Sequence, residues 1–269
     1  MYAHQVIDSF NDGTLCMPRN RGKLIELSIN LLRKSIKYHI DDVENLMKLR
    51  VNDIKNHKKI FSENSIYYRI PYTTIWLDYS FKGLKTGILM ISDERSDDIQ
   101  LLFFDYVSEG HCWVCWPYNV VYRRSDSGFG VRVSEEDQAD EDLENLVLAH
   151  ASIADTFMLL LNCKNVAAEQ IKAPEALNKK RRKNGKQEIF DYHVLNVVVP
   201  STKQGYREQS EPLSHVRVHL CRGHFKEYTQ EHPLFGKLTG LYWWQPHVRG
   251  QNKEGIVMKD YAIKTKEAV

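Results

Sequence analysis

Four short apolar runs succeed one another between residues 70 and 123: IPYTTIWLDY, GILMISDE, DIQLLFFDYV and WVCWPYNVVYR, parted by polar or glycine-containing turns. Runs of this length, rich in β-branched and aromatic residues, form strands that pair with their sequence neighbours, so the spacing predicts an antiparallel sheet. The stretch from Leu101 to Phe104 is apolar at every position, which predicts that the middle of the sheet is covered on both faces. Helices are available for that cover. After Asn20, residues Leu24, Leu27, Leu31, Leu32 and Ile36 recur at helical spacing, and residues 41–60 read as a second, more polar helical region. The strongest helix comes later, with Leu143, Leu146, Val147, His150, Ile153, Ala154, Phe157, Met158 and Leu161 on its inner stripe and FMLLL making its last turns apolar nearly all round. The acids Glu135, Glu136, Asp137, Asp140, Glu141, Asp142 and Glu144 lead into it, as suits a solvated loop ending at the positive end of a helix dipole.

Beyond Asn165 the pattern predicts a strand over residues 189–199, a polar loop over 202–212, and strands over 238–245 and 256–263. The fold class expected is therefore α+β: a mainly antiparallel mixed sheet packed with amino-terminal helices and one long central helix. It forms a single domain over residues 1–269, or two lobes meeting near Asn165, one acidic over 1–164 and one basic and rich in histidine and arginine over 165–269. Charge follows that division. The overall balance is +2, but it is +8 from Lys164 onward and −6 before it. Clustered basic charge attracts polyanions, nucleic acid among them. No apolar stretch reaches the roughly 18 residues a membrane helix needs, and the amino terminus lacks a basic segment followed by an apolar one. Five cysteines form no evident disulfide framework, which predicts a soluble protein of a reducing compartment. Cys112 and Cys115 make a CxxC, but no second pair is present, and odd spacing on a strand turns the two thiols to opposite faces, as buried structural cysteines allow.

Two segments carry the candidate chemistry. Lys179, Lys180, Arg181, Arg182, Lys183 and Lys186 form a basic run with no periodic apolar residue, expected as an exposed loop or helix end and a candidate phosphate contact, with a solvated loop as the plain alternative. The second is HVRVHLCRGHFKEY, residues 215–228. As a strand it puts His215, Arg217, His219 and Cys221 on one side, and Gly223 interrupts it as glycine does at a bulge or a close backbone approach. Arg222, His224 and Lys226 then share a side. A shared metal is disfavoured, because residues four apart on a strand, such as His215 and His219, lie about 13 Å apart. Two readings remain. Arginine and lysine could hold phosphate while Phe225, Tyr228, Trp243 and Trp244 stack on bases; or the histidines and arginines satisfy internal carbonyls and carboxylates.

The carboxy-terminal motif HxxxHxxRGHF, at His215, His219, Arg222, Gly223, His224 and Phe225, resembles the HxxxHxRRGHW element of the VA2-like anti-CRISPR family. Its members, from phages and other mobile elements, act against the type V-A RNA-guided nuclease by suppressing its expression. WWQP from Trp243, PEALNKKRRKNGK, the helix ending LLLNC and the IPYTTIWLDY strand fall in the same order as in that family, whereas Cys221 and Phe225 stand where it has arginine and tryptophan. The resemblance implies a counter-defence protein of the bacterial cytoplasm that recognises a nascent defence polypeptide and brings about loss of its mRNA, with RNA or ribosome as the second partner and no cofactor. Arg217, Lys226, Tyr228 and Trp243, with Lys179, Lys180, Arg181, Arg182 and Lys183, are then the nucleic-acid contacts. The rival reading is a metal-independent ribonuclease in which His219 and His224 exchange protons and Arg222 stabilises charge on phosphorus. A non-catalytic RNA-binding module is the third.

Overall fold

The computed structural model describes residues 1–17, 22–44, 46–47, 67–93, 98–125, 128–134, 141–198, 219–221, 223–245 and 247–249. The fold is α+β. In chain order the elements are α1 (Ala3–Asn11), α2 (Gly22–Lys34), β1 (Ile36–Ile40), β2 (Thr74–Phe81), β3 (Leu84–Asp93), β4 (Asp98–Val107), β5 (Cys112–Ser125), β6 (Gly128–Ser134), α3 (Glu141–Leu161), β7 (Val166–Ile171), α4 (Glu175–Lys183), β8 (Tyr192–Val197), β9 (His219–Cys221), β10 (His224–Tyr228), β11 (Gly240–Trp244) and β12 (His247–Arg249). An eight-stranded sheet runs in the order β6-β5-β4-β3-β2-β1-β8-β7. Its β2–β6 meander is antiparallel, as the four apolar runs imply, while β1 lies parallel to both β2 and β8. The sheet thus joins strands from the acidic and the basic parts of the chain.

Period-two alternation sorts the strands onto two cores. Ile75, Leu77, Tyr79, Ile88, Met90, Leu101, Phe103, Val120 and Tyr122 meet α3 on one face, and Trp76, Leu89, Leu102, Phe104 and Trp113 meet α1 and α2 on the other. Both faces of the middle strands are covered, as the unbroken apolar run at Leu101 to Phe104 requires. At Gly87 the cover is tight, since a Cβ there would sit 2.0 Å from the Trp76 ring. α3 is buried from Ile153 to Leu160, because the β10–β11 ladder adds Phe225, Leu241 and Trp243 to the same core.

Several expectations need correction. The buried face of α2 is Ile25, Ser28, Ile29 and Leu32; Leu27 is 62% exposed, and the helix ends at Lys34 so that Ile36 opens β1. Leu24, Leu27, Leu31 and Leu32 fit a helical stripe no better than Ile25, Ile29 and Leu32 do, and packing chose the second. The basic run is the second half of the helix α4, in line with the helix end expected, and Lys186 follows it. The strand expected over 189–199 begins at Tyr192. Most of residues 41–60, the loop over 202–212 and the strand over 256–263 lie outside the described residues. No helix among the described residues is long and apolar enough to cross a membrane.

Candidate nucleic-acid interface

The histidine-rich segment forms one arm of an antiparallel ladder. β9 pairs with β12 and β10 with β11. Cys221 stands opposite His247 in the first ladder and His224 opposite Trp244 in the second. The proton exchange expected of His219 and His224 rests on the His219 side chain, which lies outside the described residues. Arg217 and Arg222 lie outside the described residues.

Within β10–β11 the faces differ in kind. Phe225↔Trp243 and Glu227↔Leu241 form the inner face: Phe225 and Trp243 are buried with ring centroids 4.7 Å apart, and Glu227 accepts a 2.7 Å hydrogen bond from the Tyr67 hydroxyl. Burial, with Glu227 beside it, pushes the Tyr67 phenol well above its ordinary value. The expectation that Trp243 stacks on a base is therefore corrected. Of three consecutive aromatics on a strand, the middle one must face opposite to its neighbours, and Trp243, only 1% exposed, faces the core; Phe225 is lost to a base for the same reason. Asn165 holds that strand to the end of α3, donating to Trp243 O at 2.7 Å and accepting from Trp243 N at 2.9 Å.

The other face carries His224, Lys226, Tyr228, Tyr242 and Trp244. Lys226 is exposed and its Nζ sits 4.6 Å above the Tyr228 ring, which in turn meets Tyr242 edge-on at 5.6 Å. Gly240, at φ +114°, leaves room for the Lys164 stem, whose Cγ would lie 3.1 Å from any Cβ there. Two lysines and half-buried Tyr228, Trp244 and His224 thus share one surface, with cations beside aromatic faces as a single-stranded nucleic acid requires.

α4 offers a second basic surface, and the helix sorts its own residues. Asn178, buried, clamps the returning chain by donating to Ile189 O at 2.9 Å and accepting from Ile189 N at 2.7 Å. Arg181 donates from Nε to Gln187 O at 2.6 Å and from its guanidinium to the Asp8 carboxylate of α1, which also accepts Gln187 N at 2.8 Å. Arg182 is tied to Glu175 and Glu188 at 2.6 and 2.8 Å. The five cations expected to meet phosphate thus divide. Arg181 anchors the helix and Arg182 is paired, whereas Lys179, Lys180 and Lys183 are exposed and, with Lys186, have no carboxylate partner among the described residues.

Groups that sequence reading missed lie between strands. Asp78, fully buried on β2, accepts His39 Nδ1 at 2.6 Å, Tyr2 N at 2.6 Å and Trp76 Nε1 at 2.8 Å. Asp105 accepts Thr86 Oγ1 at 2.6 Å and Trp116 Nε1 at 2.7 Å with His150 Nε2 3.4 Å away, and Tyr79 meets His150 Nδ1 at 2.5 Å. Burial pushes the Asp105 carboxyl up, but His150 and the two donors outweigh it and hold it below the ordinary value. The only signal for either group is a polar residue inside an apolar strand. No three His, Cys, Asp or Glu side chains gather around a metal-sized site among the described residues. No protein-family model, curated protein or solved structure matches the chain.

Proposed function

We propose that the protein is a phage or mobile-element counter-defence protein that acts in the host cytoplasm, recognises a nascent defence polypeptide and brings about loss of its mRNA, holding that RNA without cutting it. The resemblance of the motif from His215 through Phe225, and of the ordered segments upstream, supports the counter-defence part. One observation carries the RNA part: Lys226 over Tyr228, beside Trp244, His224 and Lys164, makes a basic and aromatic surface on the outer side of the β10–β11 ladder. Stacking serves any base and lysine serves any phosphate, so such a surface favours single-stranded RNA without strict sequence choice. Binding rather than cleavage is favoured because a cation beside aromatic faces holds phosphate and base and supplies no proton-transfer pair.

The test uses the full chain with labelled single-stranded RNA. Lys226→Ala combined with Tyr228→Ala is expected to weaken binding by about tenfold or more, from loss of one phosphate contact and one stacking face worth about 1–3 kcal/mol, while the RNA stays intact. Cleavage by the pure protein that His224→Ala abolishes would overturn the non-catalytic reading. Unchanged binding by the double variant would remove this surface from the interface. A panel of amino-terminal peptides from defence proteins that yields no partner would overturn the nascent-chain part.

A further inference from the structure

Apart from the basic surfaces, the amino-terminal segment meets β5 at a pair of thiols. Cys16 N donates to Trp113 O at 2.8 Å and Cys115 N donates to Cys16 O at 2.9 Å, a single parallel bridge between Cys16 and Val114. Leu15, next to it, is buried in the core beneath α1 and α2, so the segment is held from both sides. The bridge brings Cys16 alongside the start of β5, where the Cys16 thiol donates to Cys112 Sγ at 3.1 Å although the two residues are 96 apart in sequence. Cys16 is exposed and Cys112 half-buried, so a small molecule in solution reaches them. Cys115 and Cys163 are buried, and burial pushes the Cys163 thiol far above its ordinary value. The CxxC of the sequence is therefore divided: Cys115 packs inside, and the partner of Cys112 is Cys16.

We propose that Cys16 and Cys112 form a thiol–disulfide modification site, at which exchange with a low-molecular-weight disulfide such as glutathione disulfide joins the two and staples the amino-terminal segment to β5. The sulfurs must approach by only about 1 Å to reach bonding distance. Cys16, the more exposed, attacks one sulfur of glutathione disulfide; a Cys16–glutathione bond forms, the glutathione S–S bond breaks, and one glutathione thiolate leaves with the Cys16 proton. Cys112 then attacks the Cys16 sulfur, and the second glutathione leaves with the Cys112 proton. The two protein thiols are oxidised and one glutathione disulfide is reduced to two thiols. In the second step Cys16 is joined to glutathione, so Cys112 attacks as its thiolate and the closure speeds up with rising pH.

The staple reaches the basic surface through α1. That helix carries Asp8, which grips Arg181 and the Gln187 amide of the α4 segment, and it follows Tyr2, whose amide is held by Asp78. Tying Cys16 to the sheet fixes one end of this segment while those contacts fix the other, so oxidation strengthens the seat of α4. A link across so long a stretch of chain removes much freedom from the unfolded state, and a rise in Tm of roughly 5–10 °C is expected on oxidation.

The experiment treats the full chain with glutathione disulfide, blocks remaining thiols and maps peptides without reduction. The expected product is one intramolecular link between the peptides that carry Cys16 and Cys112, reversed by dithiothreitol, with Cys115 and Cys163 remaining as thiols. Cys112→Ser is expected to accumulate glutathione on Cys16, and Cys16→Ser to react far more slowly than the wild type. A persistent glutathione adduct on wild-type Cys16 without closure, a link through Cys115, or equal Tm values for oxidised and reduced protein would each overturn the proposal. The mapping on wild-type protein requires no variant to fold.

Discussion

Replacing Lys179, Lys180 and Lys183 together by glutamine should change the salt dependence of RNA binding while leaving the fold in place. These lysines point away from the contacts that seat α4, which pass through Asn178 and Arg181. Each phosphate neutralised on a single strand contributes about 0.7 to the slope of log affinity against log salt, so three lysines, each on one phosphate, contribute about 2. Between about 50 and 200 mM salt, the wild type should then lose about fifteenfold more affinity than the variant. Arg181→Gln supplies the contrast. Its guanidinium already serves Asp8 and the Gln187 carbonyl, so the slope should stay at the wild-type value while stability falls by about 2 kcal/mol, from loss of a partly buried charged contact. Anisotropy titrations at four salt concentrations, read beside thermal melts, measure both quantities. An unchanged slope in the lysine variant would refute the phosphate role of α4. A reduced slope in folded Arg181→Gln would refute the division between outward lysines and anchoring arginine.

Other consequences follow from the packing. Gly87→Ala drives a methyl to within 2.0 Å of the buried Trp76 ring and should cost about 3 kcal/mol in urea denaturation; a wild-type midpoint would refute the close approach. Trp243→Ala should lower stability by about 3–5 kcal/mol, whereas Tyr228→Ala should melt almost as the wild type does and bind RNA more weakly; the reverse pattern would mean that the two faces of the ladder have been exchanged. Burial, helped by Arg181, lowers His4 to about 4. Between that value and the unfolded value of about 6.5 the unfolded chain takes up a proton that the folded chain refuses, so the contribution of His4 to stability is present above this window and falls by about 3 kcal/mol as pH drops through it. His4→Leu should flatten that part of the pH profile, and an identical fall in variant and wild type would locate the acid sensitivity elsewhere.

What could be read from the chain alone was whatever depends on near neighbours. The β2–β5 runs declare themselves because each is apolar beyond what one covered face needs, and α3 because its stripe is long. The same local logic put His224 and Lys226 on one side of β10 and separated Cys112 from Cys115. It failed where two local solutions were equally good. α2 carries two apolar faces, and only docking on β2 selected Ile25 and Ile29. β1, IKYHI, looks too polar for a central strand until Lys37 finds the Arg33 and Ser35 carbonyls and His39 finds Asp78.

The division has a physical cause. Periodicity and propensity act over a few residues, so the sequence by itself determined an α+β chain with an antiparallel meander, a long apolar helix and a basic carboxy-terminal part. Partner choice acts across the whole chain. Only the tertiary structure decided that Trp243 packs inside and that Arg181 anchors α4 on Asp8. It alone brought Cys16 to Cys112, because a side chain's function is fixed by what lies beside it in space, and that neighbour came from 96 residues away.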